Sequence, residues 1–146
     1  MTFPINTHAG ILIKKAARLF EQVANKNLHK LGVTYAQTIF LVRLWSKDGQ
    51  SQAELTKSSG LQQPTVVRQL DRMERDKLIT RVPNKQDRRS FNFYLTEKAK
   101  KVCQKIEGEA NMMQDIATSH LSETELKKLN KSLLSVISAL EKHLHR

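Results

Sequence analysis

One cysteine, Cys103, stands among 146 residues, so neither an internal disulfide nor a multi-cysteine metal centre is available to the chain. Three prolines and five glycines are too few to break the sequence into many short pieces, which points to a small number of mostly helical elements. The longest strictly apolar run is Ile39-Phe40-Leu41-Val42, far short of the ~20 residues that a membrane helix needs. Ala9 to Ile13 is likewise shorter than the roughly 7–15 apolar residues of a secretory signal, and Lys14-Lys15 interrupt it. No Gly-rich phosphate loop, nucleophile elbow or His-Glu-x-x-His pair occurs. Without such a constellation no enzyme is expected, and no cofactor or metal. The chain reads as a soluble, cytosolic protein of one domain.

What is present begins with a 39% apolar share, enough to build a core. Basic charge comes next: 25 Lys and Arg stand against 14 Asp and Glu, a formal net charge of +11. Its distribution is uneven. Residues 1–60 hold eight cations and three anions, residues 61–101 eleven and five, and residues 102–146 six of each. A uniform solubility coat would not leave the last third neutral, so the middle is the expected contact with a polyanion. A solvated face with no partner is the competing reading.

Periodicity locates the elements. His8 to about Leu31 is an amphipathic helix, with Leu12, Ala16, Leu19 and Val23 in one row and Ile13, Ala17, Phe20 and Ala24 beside it. Gly32 stops it. Three capping boxes follow, Thr34-x-x-Gln37, Ser51-x-x-Glu54 and Ser122-x-x-Glu125, each ahead of an apolar-periodic stretch. They predict a core helix over Tyr35–Trp45, a short helix over Ser51–Ser58, and a last helix carrying Leu126, Leu129, Leu133, Ile137, Leu140 and Leu144. Pro64 suits the first turn of a further helix running to about Lys77. The period then changes to two: Leu78–Val82 and Phe91–Leu95 read as the strands of a hairpin. Thr96 caps a helix bearing Ala99, Val102, Ile106, Ala110 and Met113. Short helix, turn, longer helix and basic hairpin together form a winged helix-turn-helix, mainly α with a two-stranded wing.

On the 62–77 helix, Val66, Leu70 and Met73 share a core side, while Thr65, Arg68, Arg72 and Arg75 share the opposite one. Arg and Gln can read base edges in a major groove bidentately, and the groove walls are phosphate. The N-terminal end of such a helix enters deepest, so Gln63, Thr65, Arg68 and Gln69 are the candidates for base contacts, with Gln62 and Pro64 beside them in the DNA-binding set. Arg72 and Arg75 are placed on phosphate. The competing reading is an ordinary surface helix in which Asp71, Glu74 and Asp76 make local ion pairs. Lys85, Arg88 and Arg89 crowd the hairpin loop, where an arginine can enter a narrow minor groove. Asp87 is expected to orient the neighbouring Arg side chains. A quiet, buried thiol is expected at Cys103, although Lys101 and Lys105 lie close in sequence. His143 and His145, two residues apart, do not share a helical face.

The run Leu61-Gln62-Gln63-Pro64-Thr65-Val66-Val67-Arg68-Gln69-Leu70-Asp71-Arg72-Met73-Glu74, followed by Leu78-Ile79, resembles the recognition helix of MarR-type regulators, in the manner of the SlyA branch. Asp87-Arg88-Arg89 and Leu95-Thr96-Glu97-Lys98-Ala99 are similar to that family's wing and next helix. Asn84 stands where many members carry an acid, and Lys77 where a glycine is common. The resemblance implies a homodimeric bacterial transcription factor on a palindromic operator, cytoplasmic and associated with the nucleoid. Arg68 would face the groove and Arg89 would be the wing-tip arginine. A small aromatic carboxylate is the implied effector, held between dimerisation and DNA-binding parts, with Ile11, Leu12, Leu31, Trp45 and Arg81 as candidate contacts. Residues 34–96 would bind DNA, and residues 1–33 and 97–146 would dimerise. Independently, the first and last helices carry more apolar surface than a small winged domain covers, which argues for a partner copy. A winged-helix module that binds protein or RNA is the alternative.

Overall fold

All three capping boxes form as spaced. Thr34 Oγ1 accepts from the Gln37 N–H at 3.2 Å while Gln37 Oε1 accepts from the Thr34 N–H at 3.0 Å. Ser51 with Glu54 and Ser122 with Glu125 repeat the exchange. Each satisfies two otherwise orphaned amides and contributes about 1 kcal/mol to holding the helix start. The computed structural model describes residues 2–145. After a 3-10 turn at Ile5–Thr7 come α1 (Ala9–Leu28), a second 3-10 turn (His29–Leu31) and α2 (Tyr35–Ser46). A two-residue strand β1 (Gln50–Ser51) leads into α3 (Gln52–Ser59) and α4 (Gln63–Arg75). Strands β2 (Ile79–Pro83) and β3 (Phe91–Leu95) make the hairpin, followed by α5 (Glu97–Ala117) and α6 (Glu123–Leu144). No helix among the described residues is long and apolar enough to cross a membrane.

The expected two-stranded wing forms from β2 and β3, and β1 adds a third antiparallel strand, in the order β1-β3-β2. Gln50 and Arg81 both lie opposite Phe93. Strand β1 is too short and too polar to show a period of two; pairing with β3, far along the chain, makes it a strand. The turn into it depends on Gly49, whose φ is +75°. A Cβ there would lie 2.8 Å from the Tyr94 ring and push it aside, and the left-handed backbone itself disfavours any side chain.

One core joins the elements up to Met113. Phe40, Leu41 and Leu44 of α2 meet Leu55, Val66, Leu70 and Met73 of the helix-turn-helix and Leu78, Ile79 and Phe93 around the sheet. Ala24 and Leu28 of α1, with Ala99, Val102, Ile106 and Met113 of α5, belong to the same cluster. Each fully buried Leu, Val, Ile or Phe contributes about 1.5–3 kcal/mol. The chain divides into two compact units, one ending at Met113 and one beginning at Gln114. In the second, α6 contains no buried residue.

Cys103 lies in the first unit's core, its Sγ 3.7 Å from the Leu41 carbonyl. Burial, and after it the Asp48 charge, push the thiol up to about 11, so it stays protonated and unreactive near neutrality.

Helix α4 ends in a tight reversal. The Leu78 N–H donates to the Met73 carbonyl at 2.9 Å and the Lys77 N–H to that of Glu74 at 3.0 Å. This paired geometry needs a left-handed residue between them. Lys77 supplies it at φ 61°, where a glycine would be unstrained. Lys77→Gly is therefore expected to stabilise the fold by about 0.5–1 kcal/mol, the relief of strain outweighing the added freedom of the unfolded chain. Chemical denaturation of the two proteins checks this; a midpoint that falls or stays put refutes it.

Candidate nucleic-acid interface

Helix α4 is held from one side. Val66, Leu70 and Met73 are fully buried, and Arg68, Arg72 and Arg75 emerge on the other side, all exposed. Gln62 occupies the N-cap without using its side chain as a cap, so its amide is free, and Pro64 sits in the first turn as the spacing predicts. Gln63 is exposed, whereas Thr65 and Gln69 are half-buried at the edges of the outward face.

The acidic residues of this helix find partners elsewhere. Asp71 accepts from Arg81 Nη2 at 2.8 Å, and Glu74 lies 3.7 Å from Arg81 Nε. Asp76 accepts from Gln37 Nε2 at 2.9 Å and pairs with Arg75 Nε at 3.3 Å. The Gln37 hydrogen bond first, then Arg75, holds the Asp76 carboxyl below the usual carboxylate range. Only the Arg75–Asp76 pair is local to the helix. Among the described residues, the Arg68 and Arg72 side chains form no hydrogen bond or ion pair, so two guanidinium groups face solvent with their donors unused.

The loop between β2 and β3 is shaped by two short side chains. Asn84 Oδ1 accepts from the N–H groups of Gln86 at 2.8 Å and Asp87 at 3.2 Å. Asp87 Oδ1 accepts from the Arg89 N–H at 3.0 Å. Asp87 thus sets the backbone of the turn instead of orienting Arg side chains, because a short carboxylate folds back on its own loop before it can reach a flexible neighbour. Asn84 does similar work while its amide donates to Asn92 Oδ1 at 3.0 Å. Lys85, Arg88 and Arg89 are left exposed at a fixed turn.

A concave surface of about 490 Å³ lies between α3, the start of α4 and the sheet, bordered by Lys57, Gln63, Arg81, Arg89 and Phe91. The candidate effector contacts are dispersed. Arg81 borders this concavity and Ile11 another on α1, beside Lys14 and Lys15. Leu31 packs against the core, while Leu12 and Trp45 are exposed. A different cavity, about 150 Å³, opens between α1, α2 and α5 and is lined by Phe20, Tyr35, Ile106, Glu109 and Met113. Sequence reasoning missed it because these residues read as plain helix faces.

A family model and three solved structures bear on this arrangement. The MarR family model matches residues 33–91. A structure of the S. aureus MepR–DNA complex is 28% identical, covers 91% of this chain and 98% of its own, and superposes with a TM-score of 0.81. A MarR transcriptional regulator from Methanosarcina mazei Go1 is 25% identical, with 91% and 96% covered and a TM-score of 0.79. The transcriptional regulator SlyA, also 25% identical, covers 90% and 92% at a TM-score of 0.80. The matched span, from just ahead of α2 through α4 to the start of β3, is the one that presents the free arginines and the basic turn, and over that span the chain is similar to the MarR family.

Proposed function

We infer that this protein is a homodimeric, sequence-specific DNA-binding transcriptional regulator, working in the cytoplasm on the nucleoid. The observation that carries the reading is the pair of unpaired, exposed guanidiniums of Arg68 and Arg72 on a helix whose acids are engaged by other residues, Asp71 and Glu74 by Arg81 and Asp76 by Gln37. Helix α4 reads the major groove through Gln63, Thr65, Arg68 and Gln69, with Gln62 and Pro64 at its entry and Arg72 and Arg75 on phosphate. The basic turn (Lys85, Arg88 and Arg89, shaped by Asp87) enters the adjacent minor groove. Dimerisation rests on exposed apolar rows: Leu129, Leu133, Ile137 and Leu140 on α6, and Leu12, Leu19 and Val23 on α1. Twofold symmetry would set the two reading helices roughly 34 Å apart, one turn of DNA, and calls for a palindromic operator. A one-ring aromatic acid suits a cavity of about 150 Å³. Its carboxylate would compete with Glu109 for Lys30, which now pair at 2.9 Å.

Mobility-shift titration against the promoter region beside the protein's own gene tests this. Specific binding is expected, with affinity falling about 10³-fold or more between about 50 and 200 mM salt as condensed counterions are released. Binding no tighter than to random duplex overturns the reading.

A further inference from the structure

Arg81 sits on β2, outside the helix-turn-helix, yet it gathers contacts from both reading elements. Its Nη2 donates to Asp71 Oδ1 at 2.8 Å and its Nε lies 3.7 Å from Glu74 Oε2. Asp71 and Glu74 stand three residues apart on the flank of α4. The same guanidinium lies 5.2 Å from the centre of the Phe91 ring and 5.5 Å from that of Phe93, both on β3. Phe93 is also its cross-strand neighbour. One planar cation therefore stacks on the sheet that carries the basic turn while engaging two carboxylates of the reading helix.

We propose that Arg81 is a positioning residue for DNA reading. It locks the flank of α4 to the sheet and cancels the two carboxylates that would otherwise repel the phosphate walls beside Arg68 and Arg72. The inference rests on the DNA-binding reading above. Arg81 is poorly placed for a phosphate of its own: its side chain is 32% exposed, and its Nε is buried without a hydrogen-bond partner, reaching Glu74 through charge alone. Partly exposed ion pairs contribute little to folding, so the consequence belongs to binding and not to stability. Lysine is no substitute, because a single ammonium neither stacks as a plane nor spans two carboxylates.

Five proteins test this: the unsubstituted chain, Arg81→Met, Arg81→Lys, Asp71→Asn/Glu74→Gln, and Arg81→Met combined with the two acid changes. Arg81→Met is expected to weaken operator binding about tenfold. Neutralising the two acids should change little while Arg81 is present but recover most of the loss in its absence. A residue touching phosphate directly would give the same gain in both backgrounds. Arg81→Lys, which keeps charge and fold, should recover only part. With no DNA present, amide exchange along 67–75 and 79–83 should quicken in Arg81→Met at an unchanged melting temperature. Unaltered affinity in Arg81→Met, or additive effects, overturns the proposal while operator preference in the unsubstituted protein keeps the DNA reading alive. Loss of that preference in the unsubstituted protein instead sinks the DNA reading, and this inference with it.

Discussion

Replacing Arg68 with alanine is expected to cost about 1–3 kcal/mol of operator affinity and to relax discrimination at the base pair it faces. The structure makes this a clean experiment. Arg68 lies opposite Val66, Leu70 and Met73, and its guanidinium has no partner among the described residues, so its removal opens no cavity and strands no buried charge. Unfolding free energy should stay within about 0.5 kcal/mol of the parent, as for a surface change away from packing and caps. The lost affinity then reports on DNA alone. Arg89→Ala supplies the contrast: on the basic turn it should weaken binding while leaving major-groove preference intact. Titration against operators altered one base pair at a time distinguishes the two. A uniform loss across all operators for Arg68→Ala would move that residue from base to phosphate.

The second large effect is expected on α6. Leu133→Glu/Ile137→Glu should leave a folded monomer. Leu133 is 38% exposed and Ile137 49% exposed in the single chain, so the change sacrifices little packing within the protomer. In a dimer each side chain would bury on the partner, a contribution of about 1.5–3 kcal/mol apiece, and each new carboxylate would add a desolvation cost. Sedimentation should report one chain where the parent gives two, with helical circular dichroism retained. Operator affinity should fall by about 10²-fold or more, since two half-sites are no longer held at a common effective concentration. A double variant that still sediments as a dimer would take α6 out of the interface.

The elements most legible from residues alone are those whose physics closes within a few positions. Thr34, Ser51 and Ser122 cap because the amides they satisfy lie three residues away. The division of α4 into a core side and an arginine side follows from 3.6 residues per turn, whatever the rest of the chain does. The strained reversal at Lys77 was marked only by the resemblance, which places a glycine there.

Partners far apart in the chain were not legible. Asp71 and Glu74 look like neighbours for the arginines of their own helix, yet Arg81, ten residues beyond Asp71, takes both. Asp76 is claimed by Gln37 from 39 residues away, and β1 becomes a strand only because β3 lies alongside it. Spacing along a helix says which residues share a side, and says nothing about what the folded chain lays against that side. Charge pairing, the third strand and the cavity between α1, α2 and α5 all depend on that second fact. Capping, amphipathic faces and turn chemistry were written locally in this polypeptide; the freedom of Arg68 and Arg72 was decided by long-range packing, which delivered other partners to the acids beside them.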